Sequence, residues 1–136
     1  MRTRLSLTID DANMMMAACL KAAGAIGRNV SIAIVDDASG LLAFQRMDGA
    51  RAHTIDIAQR KARASAMVGV PTAMIEASQK DRPAASADLV VTRGGVPAMH
   101  QGQCAGAVGV SGGRGEEDEA IAEAGLKVQQ TAAGPP

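Results

Sequence analysis

The sequence predicts an α+β domain in which antiparallel hairpins alternate with helices. Three observations carry this. Residues 30–35 and Leu41–Arg46 are short β-branched or apolar runs separated by the turn chemistry of Asp36-Asp37-Ala38-Ser39-Gly40. Residues 96–99 and 104–110 repeat the pattern around His100-Gln101-Gly102. The segments between and outside these runs carry helix caps and helical spacing. With residues 89–91 as a short strand or helix end, the sheet has about five strands. A length of 136 residues suits a single domain. That domain spans residues 1–130, and residues 131–136 read as a disordered tail.

The first helix begins behind Thr8, where Asp11 three residues on closes a capping box. Between Met14 and Gly27 the only strongly polar side chain is Lys21. A helix so apolar is expected to bury more than one face, either wholly within the core or with the second face against another subunit. In the first hairpin, alternation puts Leu42, Phe44 and Arg46 on one side and Leu41, Ala43 and Gln45 on the other. Residues 54–68 read as a helix supported by the Asp56/Arg60 pair at i,i+4. Its stripe of Ile57, Lys61, Ala64 and Val68 sets Lys61 within an apolar face. Gly69 stops it, Pro71-Thr72 starts a short helix to about Gln79, and residues 116–128 form the last helix.

Composition removes several function classes. Fourteen basic residues balance fourteen acidic ones, so no basic excess points to nucleic acid. Phe44 is the only aromatic residue, which leaves no platform for stacking bases. No apolar signal core follows the arginines of the first six residues, and the longest apolar stretch is broken by Lys21, short of the ~20 residues that span a bilayer. Cys19 and Cys104 form no metal or redox motif, so a reduced, cytoplasmic protein is expected. A core of small aliphatic side chains and eight methionines is thin for a monomer, and a homo-oligomer is the expected remedy.

Two constellations could carry chemistry. The glycine-rich run 106–115 follows a strand and precedes a helix, but it lacks the spacing of a phosphate loop or a dinucleotide fingerprint. Glu116, Glu117, Asp118 and Glu119 already complement the positive end of that helix. Asp118 therefore reads as an electrostatic cap or as a ligand contact in a pocket-lining loop. The stronger constellation is Arg46, Asp48 and Lys61, a strand end facing the next helix. It reads either as a structural bridge or as a ligand site. In the site reading Arg46 holds a carboxylate, Asp48 or Lys61 moves a proton, and Phe44 supports the ligand's apolar body. His53 lies eight residues before Lys61, about two turns along the same helix side.

Several ordered motifs resemble the GlcG/HbpS-like, or haem-degrading domain, family, and are similar to the C-terminal domain of PduO-type corrinoid adenosyltransferases. They are Val30-Ser31-Ile32-Ala33-Ile34-Val35-Asp36, Arg46-Met47-Asp48-Gly49-Ala50, Ile55-Asp56-Ile57-Ala58 with Lys61-Ala62, Gly94-Gly95-Val96-Pro97, and Gly106-Ala107-Val108-Gly109-Val110-Ser111-Gly112-Gly113 with Asp118. The resemblance implies an antiparallel sheet flanked by helices, a symmetric oligomer, and a small ligand such as haem or another tetrapyrrole. His53 would be the iron ligand in that case. The alternative expectation is an isomerase, tautomerase or hydrolase acting on an oxo- or enol-acid. A non-catalytic oligomeric accessory protein is the third.

Overall fold

The computed structural model describes residues 1–134. Helix α1 (Ile9–Ala25) is followed by strands β1 (Ser31–Asp36) and β2 (Leu41–Arg46), then helices α2 (His53–Val68) and α3 (Thr72–Ser78). A 3-10 turn (Ala87–Leu89), strands β3 (Gly95–His100) and β4 (Gln103–Ser111) and helix α4 (Gly115–Ala133) complete the chain. The sheet is antiparallel throughout and has four strands in the order β2-β1-β4-β3. The fold is α+β as expected, with one strand fewer. Residues 87–89 turn in a 3-10 helix and do not join the sheet.

Each hairpin forms where its turn chemistry places it, and the two join through β1 and β4, with Ser31 opposite Ser111 and Ile34 opposite Val108. These two strands are the centre of the sheet and are buried along most of their length. On one sheet face α1 and α4 pack over Ile32, Ile34, Val108 and Val110 with Met15 and Ile121. On the other, α2 lays Ala58 and Ala62 on Ala33, Val35 and Ala107, with Phe44 at the margin. A bulge opposite Ile34 and Val35 inserts Leu42 as an extra residue in β2. Leu42 consequently packs with the α1/α4 core rather than beside Phe44, against the simple alternation.

The capping box of α1 is present: Thr8 Oγ1 accepts from Asp11 N at 3.2 Å, and Asp11 Oδ2 accepts from Thr8 N at 2.8 Å. Within the single chain α1 buries one face, through Ala12, Met15, Met16, Cys19 and Ala23. Its opposite side, with Asn13, Ala17, Lys21 and Gly24, is exposed. Burial pushes the Cys19 thiol up to about 12, so it packs as an apolar group and not as a nucleophile. Helix α4 continues to Ala133, past the expected end at Val128 and into the segment expected as a tail. Residues 135 and 136 lie outside the described residues. Among the described residues no helix is long and apolar enough to cross a membrane.

Candidate functional site

Lys61 is the least expected side chain in the core. It sits at the middle of α2 with 3% of its surface exposed. Helix α2 lies so close to β4 that a methyl group at Gly109 would overlap the Ala58 carbonyl oxygen. That closeness lets the lysine reach past the helix and across the strand end. Its Nζ donates to Val110 O at 2.8 Å and to Asp118 Oδ2 at 3.2 Å. A side chain at Gly94 would meet Lys61 Nζ at 2.7 Å and Asp118 Cβ at 2.9 Å, so only glycine leaves room for the pair.

Asp118 is held from its other side as well. Beyond β4 the chain turns through Gly112, whose φ of +139° few other residues adopt, and enters α4. The turn presents Gly113 N, which donates to Asp118 Oδ1 at 2.8 Å. Burial raises the carboxyl above its ordinary range, against the opposing pull of the Lys61 ammonium and the Gly113 N–H. Such a pair gains little net stability, but removing one partner strands a buried charge, at a cost of about 3–5 kcal/mol. Asp118 is thus more than a dipole complement at the helix start. Glu117 takes the capping position, its Oε1 accepting from Arg114 N at 2.9 Å.

Beside the pair lies a cavity of about 350 Å³. His53 and Lys61 reach it from α2, as their two-turn spacing predicts, and Gly112, Gly113 and Asp118 close the far side. Arg93 and Glu76 stand at its rim. Arg93 Nη2 donates to Glu119 at 2.9 Å, and its backbone N–H donates to Glu76 Oε1 at 3.1 Å. Ile57 is the one large apolar side chain in the lining. An ammonium has three donors, and protein acceptors occupy two of them in Lys61. The third N–H has no protein acceptor among the described residues.

The structure separates the other expected members. Arg46 ends the edge strand β2 opposite Ser31, and Asp48 follows in a turn; both are exposed and neither lines the cavity. Phe44 packs at the edge of the α2 cluster, half-buried. The physical reason is strand order: β1 intervenes between β2 and β4, and Lys61 turns towards β4. The cluster of Arg46, Asp48 and Lys61 does not form, and Asp118 takes the place of Asp48 as the lysine's partner. Sequence reasoning also missed Arg93 and Glu76. The signal available for Arg93 was its place directly before Gly94-Gly95.

A larger groove of about 510 Å³ lies between α2, α3 and the 3-10 turn, lined by Val70, Met74, Ile75 and Leu89. It holds no buried ionisable pair, which makes the smaller polar cavity the better site. Among the described residues no group of three His, Cys, Asp or Glu side chains is placed to hold a metal ion.

Residues 7–127 match the family model described as "Haem degrading protein HbpS-like". GlcG of Escherichia coli K12 is 37% identical over 114 residues, which cover 82% of this chain and 85% of GlcG. The crystal structure of a Streptomyces reticuli HbpS double mutant is 31% identical, with a TM-score of 0.83 over 94% of this chain and 90% of that one. The crystal structure of a PduOC–haem complex has the same fold at 24% identity, with a TM-score of 0.83 over 91% and 95% of the two chains. Motifs, topology and these similarities agree: the chain belongs to the HbpS-like family.

Proposed function

We propose that this protein is a homo-oligomeric small-ligand-binding protein whose site is the Lys61 cavity, and that the ligand is a small carboxylic acid carrying an oxo or enol group. The observation that carries this is a buried lysine that lines a polar cavity and has protein acceptors for only two of its three N–H groups. The volume falls at the small end of ligand sites, which span about 300–1,000 Å³. An oxo or enolate oxygen accepting from Lys61 is stabilised by the nearby positive charge, while Asp118 fixes the ammonium in place. Such a contact also favours enolisation, which is the step an isomerase or tautomerase of oxo-acids needs. Asp48 has no part in this reading, because it lies outside the cavity.

Titration calorimetry with pyruvate tests the proposal. The variant is the double substitution Lys61→Met with Asp118→Asn, which removes both charges and strands neither. Saturable binding by the natural protein is expected to weaken about tenfold or more, the scale of one charge-assisted hydrogen bond. No binding by the natural protein, or equal binding by both, would overturn it.

Family membership and the position of His53 favour a second reading, haem. Lys61 and Arg93 fit the carboxylates of a haem and His53 offers a nitrogen for its iron, which would supply redox chemistry when bound. The cavity of one chain, about 350 Å³ with Ile57 its one large apolar wall, would enclose only part of the macrocycle. A haemin titration followed by absorbance decides this reading. A saturable Soret shift that His53→Ala abolishes would establish haem in place of the small acid.

A further inference from the structure

His53 and Gly112 also line a second cavity, of about 240 Å³, whose other walls include Arg28, Asn29, Arg51 and Thr54. The two differ in charge. The Lys61 cavity sets Glu76 and Asp118 beside its cations, whereas no carboxylate lines the second one. Arg28 is engaged by Glu117 at 3.0 Å. Arg51 forms no ion pair among the described residues, so its charge is uncompensated.

Given the Lys61 cavity as the ligand site, we infer that the Arg51 cavity is a second anionic subsite and that the ligand carries a negative group at each end. The helix supplies the ruler. Eight residues of rise separate His53 from Lys61, about 12 Å along the axis. The lysine side chain leans back towards the helix N-terminus and shortens that gap. Arg51 stands just before the helix, in the cavity that His53 also lines, so a short carbon chain would run from an oxo-acid head at Lys61 past His53 to a second carboxylate there. A monocarboxylate would leave the arginine facing water and gain nothing from it.

The test compares 2-oxoglutarate with 2-oxopentanoate, acids of equal carbon count that differ in the terminal carboxylate. Calorimetry on the natural protein should find 2-oxoglutarate about tenfold tighter. Arg51→Gln should abolish that preference and leave 2-oxopentanoate binding within about twofold. Arg51 is exposed and outside any ion pair, so the variant retains its fold, and an unchanged melting temperature checks this. Equal affinity for the two acids, or a preference that survives Arg51→Gln, would overturn the second subsite. If binding still depends on the Lys61–Asp118 pair in that event, the first site stands alone. If neither acid binds, or if neither responds to the Lys61→Met and Asp118→Asn double variant, both readings fall together.

Discussion

The two faces of the sheet are packed by opposite means. On the α1/α4 face, bulky side chains such as Met15, Ile32, Ile34 and Ile121 interdigitate between helix and strand. On the α2 face, alanines meet alanines, and Gly109 brings the helix backbone almost onto the strand. The first face is held by volume and the second by proximity. The difference explains where the candidate site lies. A helix kept away from the sheet by large side chains could not pass a lysine under itself to a β4 carbonyl. On the close-packed face, Lys61 does so, and the cavity opens where that packing ends.

This contrast is open to attack by substitution. The largest effect is expected from Lys61→Met alone, which leaves Asp118 buried without a counter-charge and should cost about 3–5 kcal/mol in chemical denaturation. The deficit should depend on pH in a defined sense. The folded carboxyl of Asp118 already titrates above its unfolded value of about 3.9, and losing the ammonium raises it further. Its native-state penalty is therefore present at neutral pH and is relieved as pH falls through the raised value. Denaturation of Lys61→Met and the natural protein in parallel should find the gap narrowing on acidification. A gap that widens would mean that the carboxylate has found another partner.

Next, the two faces should respond to opposite changes. Met15→Ala removes volume where volume does the holding, and a loss of about 2–5 kcal/mol is expected. Gly109→Ala adds a single methyl where proximity does the holding, and should cost about 1–3 kcal/mol by forcing α2 off the sheet. A tolerated Gly109→Ala would erase the distinction between the faces. The smallest effect belongs to Arg46→Gln. Because Arg46 is exposed and outside every ion pair of the described residues, stability should stay within about 0.5 kcal/mol and pyruvate binding should be unchanged. Calorimetric loss of binding in that variant would return the strand end to the site.

Local chemistry was legible in the sequence and long-range partnership was not. Thr8 and Asp11, the turn from Asp36 to Gly40 and the spacing of His53 and Lys61 each act over a few residues, and the structure has them as read. The partner of Lys61 lies 57 residues away. Its identity follows from strand order, which hydrophobic periodicity does not encode. Arg46 and Asp48 were nearer in the chain and won the expectation on that ground. Asp118 was singled out, but four acids at a helix start all look like dipole complements until one of them is seen to be buried. The end of α4 was misjudged for a related reason. Thr131, Ala132 and Ala133 have no apolar stripe to mark them, yet the helix carries on through them.

The Lys61–Asp118 contact also joins the two helical layers, since α2 and α4 lie on opposite sides of the sheet. The bonds of Lys61 close loops of 49 and 57 residues, which can form only after the strand order is in place. The site is in this sense a completion signal. A chain with one hairpin undocked has no Lys61 cavity at all, whatever its helix content. Ligand affinity and protection of the Gly113 amide from hydrogen exchange should then fall together whenever the α4 layer loosens, even while the α1 core keeps its secondary structure.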